Sequence, residues 1–146
     1  MLKELTQIFG VSGREKEIAS YVAELVKPYV DEVKIDALGN VITYKKGTAA
    51  NPKKIMASAH IDEIGFMVTK ITDDGYLKVR AVGGISMYTS YANRIEFQNG
   101  VKGALMTETN IAEIGKNDVS KLYVDIGATS KEDAEKYVRV GDTAHY

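Results

Sequence analysis

The sequence predicts an α/β segment followed by a small β-rich domain, because its hydrophobic pattern changes twice along the chain. Residues 1–28 carry apolar side chains at helical spacing, and the pattern then changes to the period of two that is typical of strands. From about residue 66, short strand-like segments recur between turn signals, as in a small β-barrel or sandwich. We therefore predict part of an α/β sandwich domain in residues 1–66 and a β-barrel-like domain in residues 67–146.

Two helices are predicted before Pro28. The first has one apolar face and ends at Gly10, a residue type that commonly follows the last helical turn. Ser12 with Glu15 three residues later is typical of a capping box, so Ser12 is the expected N-cap of the second helix. The two apolar faces consist of Leu2, Leu5, Ile8 and Phe9, and of Ile18, Tyr21, Val22, Leu25 and Val26.

Three strands are predicted in the rest of the first segment. Val33 and Ile35 alternate with charged residues, Gly39-Asn40 marks a turn, and 41–44 resumes as a strand. The segment 55–59 is small and apolar without alternation, which is typical of a strand buried on both faces.

The β-rich segment is predicted from its turns. Asp73-Asp74-Gly75 and Asn99-Gly100 each separate two strand-like runs, which indicates two hairpins. A further strand is predicted at 122–126, and Thr129 with Glu132 predicts a second capping box. The hairpin strands are 66–71 with 76–80, and 94–97 with 101–105.

The composition is that of a globular protein, with 45% hydrophobic and 27% charged residues. A net charge of −1 gives no electrostatic reason to expect nucleic acid or an anionic membrane as a partner. The lack of cysteine excludes disulfides, thiolate zinc sites and cysteine nucleophiles. Because the N-terminus does not resemble a signal peptide and no apolar run reaches about 20 residues, we expect a cytoplasmic protein.

A histidine and an acid two residues apart, His60 and Asp62, follow the predicted strand 55–59. Strand side chains alternate between faces, so this pair is expected on one face, with Ile61 and Glu63 on the other. An imidazole that binds a metal usually has its second ring nitrogen held by a carboxylate or a carbonyl. The pair therefore predicts half of a metal site, and the alternative is a histidine that is simply hydrogen-bonded in a core.

The other half of such a site is missing from the sequence. A catalytic zinc normally takes three protein ligands, whereas His60 is the one credible ligand here. Glu63 could be an acid beside the site or an ordinary salt-bridge partner, and His145 is expected to fray near the chain end. The remaining ligands are expected from another chain or from sequence absent here, unless no metal binds.

Six blocks of the sequence together resemble the start of the glutamyl-aminopeptidase or tetrahedral-aminopeptidase family of co-catalytic metallopeptidases. In chain order they are Gly10–Glu15, Asp36–Ile42, Ala59–Val68, Val82–Gly84, Val124–Ala128 and Val140–Asp142. The resemblance covers essentially the whole chain, and the block that contains His60 and Asp62 is highly characteristic.

The resemblance implies an enzyme that removes amino acids from peptide N-termini with zinc or another divalent metal, two per complete site. It also implies an α/β sandwich catalytic domain that is interrupted by a β-rich dimerisation domain, and assembly into homo-oligomers. By position, His60 resembles a ligand of one zinc, and Asp62 resembles the catalytic-site acid that orients it.

In the family, the bridging aspartate, the general-base glutamate and the other metal ligands lie further along the chain than Tyr146. We therefore expect the N-terminal portion of a zinc-dependent aminopeptidase, inactive as the isolated chain, so whether this chain is itself an enzyme stays open. The alternative is a truncated, non-catalytic relative that acts as an assembly or binding module. A third interpretation is an endoglucanase, for which Asp62 and Glu63 on opposite strand faces make a poor carboxylate pair.

Overall fold

A computed structural model of the chain describes residues 1–108, 110–113 and 118–146, without the side chains of Ile111 and Val119. The chain divides into two compact units, Met1–Asp62 and Glu63–Tyr146. The division lies upstream of the boundary that the sequence predicts after Phe66, because Gly65 already begins the first strand of the second unit. Within the described ranges, no helix is long and apolar enough to cross a membrane.

The first unit begins with helix α1, Leu2–Leu5, and continues with helix α2, Lys16–Val26, which runs into a 3-10 turn at Lys27–Tyr29. The second predicted helix is therefore confirmed, but the first ends earlier than the sequence predicts. Apolar residues of α2 and of the segment before it are buried: Phe9, Val11, Ile18, Ala19 and Ala23.

The capping box predicted at Ser12 is wrong. Helix α2 has Glu15 at its N-cap position, and no side chain there accepts a hydrogen bond from the helix. The Glu15 carboxylate instead accepts from the backbone N–H of Gly13 at 2.6 Å. Ser12 is separated from the helix by this turn, so its hydroxyl is directed to another partner.

Strands β1, Glu32–Ile35, and β2, Val41–Tyr44, form a two-stranded antiparallel sheet, which confirms both strands. The predicted turn is confirmed as well, with Gly39 at φ +88°. The Asp36 carboxylate accepts from the backbone N–H of Leu38 and from both the backbone and side-chain N–H groups of Asn40, each at 2.9 Å. An aspartate that accepts bonds from residues ahead of it is a common device for stabilising a turn.

These bonds predict a pH dependence of the turn. Donation from the Asn40 side chain and backbone holds the pKa of Asp36 below its ordinary value. The stabilisation is therefore present above pH ~3.9, the ordinary aspartate value, and is lost as the pH falls through the lowered value. We expect Asn40→Ala to raise the pKa of Asp36, measured by NMR titration of its carboxyl carbon. Asn51→Ala, outside the turn, should leave that pKa unchanged, and an equal rise in both variants would contradict the assignment.

The predicted strand at 55–59 is wrong for this chain. These residues adopt no regular secondary structure, and the side chains of Ile55 and Met56 are each 90% exposed. A strand buried on both faces needs neighbouring strands and covering layers. In the described part of the first unit, β1 and β2 pair only with each other, so the segment has no sheet to join.

The second unit is a closed six-stranded barrel, which confirms the predicted β-barrel and excludes the sandwich alternative. Its elements are β3 Gly65–Ile71, β4 Leu77–Val82, helix α3 Met87–Ser90, β5 Arg94–Phe97, β6 Lys102–Thr107, 3-10 turns Ile111–Glu113 and Val119–Lys121, β7 Leu122–Asp125, helix α4 Lys131–Ala134, and β8 Thr143–His145. The order around the barrel is β3-β4-β7-β6-β5-β8. Inward side chains from these strands form the core, including Phe66, Leu77, Ile95, Leu105 and Val124.

Both predicted hairpins are confirmed. Strands β3 and β4 pair up to Ile71↔Leu77 across the turn that contains Gly75, and β5 pairs with β6 up to Glu96↔Lys102 across Asn99-Gly100. The last strand, β8, pairs with both β3 and β5 and thereby closes the barrel.

The helix cap before α4 lies one residue later than the sequence predicts. Ser130, not Thr129, is the N-cap residue, and its hydroxyl accepts from the backbone N–H of Asp133 at 3.2 Å. We expect Ser130→Ala to lower the free energy of unfolding by about 1 kcal/mol, because one helix-end N–H loses its partner. Thr129→Ala should cost less, and urea titrations of both variants would compare them. A larger loss of unfolding free energy in Thr129→Ala than in Ser130→Ala would show that Thr129 is the N-cap residue after all.

Candidate functional site

The side chain of His60 is held from one side by Asp62. The ring Nδ1 lies 2.9 Å from the Asp62 carboxylate Oδ1 and 3.1 Å from the Asp62 carbonyl oxygen. Both partners are acceptors when the carboxylate is ionised, so Nδ1 carries the proton and donates it. The other ring nitrogen, Nε2, then presents a lone pair on a side chain that is 86% exposed. The contact between His60 and Asp62 agrees with the sequence prediction, but its predicted basis is wrong. Residues 60–62 form no strand, so the two side chains meet without strand alternation.

The Asp62 carboxylate has a second partner that the sequence did not reveal. The Ser12 hydroxyl donates to Asp62 Oδ2 at 2.6 Å. This bond is the largest cause that holds the pKa of Asp62 below its ordinary value, and the His60 imidazole adds to it against the opposing effect of partial burial. Asp62 is therefore ionised over the range in which an imidazole binds metal.

A tight turn directs Ser12 towards Asp62. The backbone N–H of Arg14 donates to the carbonyl of Val11 at 2.7 Å, and Gly13, at the third position of this turn, has φ +85°. A type II turn needs a positive φ at its third position, which favours glycine. The dipeptide Ser12-Gly13 was therefore the sequence signal that could have revealed this contact, because it indicates the middle of a turn and not a helix cap at Ser12.

Glu63 and His145 form a second pair, which lies within the barrel unit. His145 Nδ1 is 2.8 Å from Glu63 Oε1, and the two side chains are 13% and 33% exposed. The prediction that His145 frays is wrong, because His145 ends β8 and pairs with Glu96 of β5. Glu63 therefore has a hydrogen-bonding partner in His145, and the contact is a salt bridge when the imidazole is protonated.

The donor set fits one ligand position of a metal site but not a complete one. Among the residues that the structure describes, no three histidine, aspartate or glutamate side chains gather closely enough to hold a metal ion. When its imidazole is neutral and Nδ1 holds the proton, His60 offers the Nε2 lone pair, the form in which histidine binds zinc. A catalytic zinc needs two further protein ligands, so this chain can contribute to such a site but cannot build it from the groups described.

Comparisons with known proteins agree with the resemblance of the sequence. Residues 39–146 match the family model for M42 glutamyl aminopeptidases. An aminopeptidase homologue of Acetivibrio thermocellus is 49% identical over 99% of this chain and 43% of its own length. A lysyl aminopeptidase of Pyrococcus furiosus is 39% identical over 100% of this chain and 44% of its own length. The chain thus spans less than half the length of the curated relatives it matches.

Solved structures show the same fold. An aminopeptidase of the archaeon Desulfurococcus kamchatkensis matches 98% of this chain and 41% of its own, with a TM-score of 0.87 and 38% identity. Similar structures also include the TET1 peptidase of Pyrococcus horikoshii, described as assembling into a tetrahedron or a large octahedral shell, and a Thermotoga maritima protein named endoglucanase. Those two are 35% and 33% identical to this chain, with TM-scores of 0.82 and 0.85. Each match includes 99% of this chain, and it includes 45% of the Pyrococcus chain and 43% of the Thermotoga chain. On the strength of both the family match and these relatives, the chain belongs to the M42 glutamyl aminopeptidase family.

Proposed function

We propose that this chain is the N-terminal portion of a metal-dependent aminopeptidase that removes amino acids from the N-termini of peptides. Family membership supports the reaction class, and the His60–Asp62 pair carries the assignment to this chain. In this proposal His60 is a ligand of one of two zinc or other divalent ions, and Asp62 is the acid that orients its ring. A bound divalent ion would supply Lewis acidity and a more acidic bound water.

The chain's own contribution is to hold the ligand. The Asp62 carboxylate keeps the proton of His60 on Nδ1, so Nε2 is available without a change of tautomer. In this proposal the general base and the other ligands would come from the part of the relatives that this chain does not span. No peptide-bond hydrolysis is therefore assigned to residues 1–146 alone.

The two-unit organisation supports a domain assignment in the same proposal. Residues 1–62 would be part of an α/β sandwich catalytic domain, and residues 63–146 would be the β-rich inserted dimerisation domain. The boundary predicted from the sequence, between residues 66 and 67, would shift accordingly because Phe66 lies in the barrel core. The exposed apolar residues Ile55 and Met56 support the first part, because an apolar segment of this kind needs covering strands that the remaining length would supply. The closed barrel supports the second.

Homo-oligomer formation belongs to the proposal as well. The similar Pyrococcus horikoshii peptidase is described as assembling into closed shells. A truncated, non-catalytic relative that serves as an assembly or binding module is the second candidate, and the observation that favours it is the 90% exposure of Ile55 and Met56. Light scattering on the isolated chain tests this candidate, since a strictly monomeric species of 16.0 kDa would count against it.

The endoglucanase alternative has the least support. Hydrolysis of a glycoside requires two carboxyl groups that face each other across the sugar. The Asp62 carboxylate already accepts from Ser12 and His60, and the Glu63 carboxylate is paired with His145. Asp62 and Glu63 therefore do not form the carboxylate pair that the endoglucanase name of the Thermotoga maritima relative would require.

The proposal is tested by an assay for amino-acid release from unblocked peptides in the presence of zinc. The isolated chain is expected to release no amino acids. Zinc-dependent release by the isolated chain would contradict the proposal that the general base and the other metal ligands lie outside residues 1–146. A chimera that joins residues 1–146 to the remaining length of the Acetivibrio thermocellus relative is expected to be active. No activity from a folded, zinc-loaded chimera would overturn the proposed function.

Variants of the chimera test the role of the pair. Asp62→Ala should lower activity on the order of 10–100-fold, as is usual when the acid that orients a metal-binding histidine is removed. His60→Ala should lower it at least as much. Glu24→Gln, at an exposed position of α2, is the matched control and should retain full activity.

A further inference from the structure

Ser12 lies at one end of a chain of hydrogen bonds that passes through Asp62 to His60. Its hydroxyl donates to Oδ2 of Asp62 at 2.6 Å, while Oδ1 of the same carboxylate accepts from His60 Nδ1 at 2.9 Å. Each carboxylate oxygen therefore has a separate side-chain donor. Of these two donors, only Ser12 belongs to a segment distant in sequence, 50 residues away.

The backbone around Ser12 is held close to the His60–Asp62 segment. Val11 is completely buried, and a Cβ placed on Gly10 would lie 3.6 Å from the Ile61 carbonyl oxygen and 3.0 Å from an Ile18 methyl carbon. Segment 10–12 thus runs beside residue 61 with little space between them. A hydroxyl carried on this anchored turn is a fixed donor, whereas Asp62, which is 38% exposed, could otherwise turn towards water.

We propose that Ser12 is a positioning residue for the candidate metal ligand: by fixing the Asp62 carboxylate it keeps the His60 proton on Nδ1 and the Nε2 lone pair outward. A carboxylate bound at only one oxygen can occupy several side-chain rotamers, and some of them break the bond to the imidazole. The Ser12 bond removes that freedom before any metal arrives. The biological meaning of this role rests on the proposed aminopeptidase function, but the role itself is a property of residues 1–62.

The test is the tautomer of His60 in the full chain without metal or peptide. Two-bond ¹H–¹⁵N correlation spectra of histidine-labelled protein distinguish a protonated Nδ1 from an unprotonated one. The measurement is made at pH ~8.5, at which an ordinary imidazole is neutral. Wild-type His60 should show the proton on Nδ1, and Ser12→Ala should shift its population towards the Nε2-protonated form. The signals of His145, which is bonded to Glu63 in the other unit, serve as an internal reference.

Three further variants make the result specific. Ser12→Thr keeps the hydroxyl and should restore the wild-type tautomer, whereas Ser20→Ala removes an exposed serine of α2 and should change nothing. Should Ser12→Ala fail to fold, Ser12→Cys decides, because a thiol is of similar size but is a weak donor. An unchanged His60 tautomer in a folded Ser12→Ala or Ser12→Cys variant would overturn the proposal, as would an equal shift in Ser20→Ala.

The two proposals can fail separately. An inactive chimera combined with a tautomer shift in Ser12→Ala would overturn the aminopeptidase function and leave the positioning role intact. An active chimera whose His60 tautomer does not respond to Ser12→Ala or Ser12→Cys would support the aminopeptidase function and overturn the positioning role of Ser12.

Discussion

Replacing Phe66 with alanine is expected to lower the free energy of unfolding of the barrel by about 3–5 kcal/mol. The Phe66 side chain is 1% exposed within the barrel core, and its ring packs edge-on against Tyr146 with the centroids 5.5 Å apart. Alanine would remove apolar contacts and leave a cavity, and strands paired on both sides of β3 limit how far the walls can collapse. The full chain would be unfolded in urea while the signals of β3 and β8 are followed by NMR.

The matched control for Phe66→Ala is the next residue. Met67 lies on the same strand and is 37% exposed on the opposite face, so Met67→Ala should cost well under half as much. Equal losses in the two variants would mean that the inward side of β3 has been assigned wrongly. The comparison therefore tests the register of the strand that follows the candidate site.

Replacing Gly75 with alanine is expected to cost about 3 kcal/mol, from two separate causes. Gly75 has φ +87°, where a side chain strains the backbone by about 1–2 kcal/mol. In addition, a Cβ there would lie 2.8 Å from the carbonyl oxygen of Ala128 and 3.0 Å from that of Ser130. Because both contacts are backbone atoms, part of the hairpin or of the segment before α4 must move. Urea titration of the full chain measures the loss.

Gly141→Ala separates the two causes. Gly141 has φ +94°, but a Cβ there would have no described atom within 4 Å apart from those of its two chain neighbours. This variant should therefore lose only the part due to backbone strain, about 1–2 kcal/mol. A loss for Gly75→Ala that does not exceed the loss for Gly141→Ala would show that the turn moves freely away from Ala128.

Local signals in the sequence predicted the elements whose partners lie nearby along the chain. The hairpins followed from Gly75 and from Asn99-Gly100, since a tight turn fixes which strands pair and in what register. The cap of α4 was located within one residue for the same reason. The prediction of a strand at 55–59 failed because the apolar pattern predicts burial. Burial depends on neighbouring strands, which the described chain does not provide.

The sequence by itself determined the hairpins of the barrel and the pairing of His60 with Asp62, because two residues of separation leave an imidazole and a carboxylate within reach of each other. Only the tertiary structure decided the contacts that cross long stretches of chain. Ser12 reaches Asp62 across 50 residues, and His145 reaches Glu63 across 82. The physical reason is that bringing distant segments together requires the packing of whole elements, and no pattern within a short window records which elements will meet. The His60–Asp62 pair was visible as a candidate from the sequence alone, whereas the hydrogen bond from Ser12 to Asp62 appeared only in the fold.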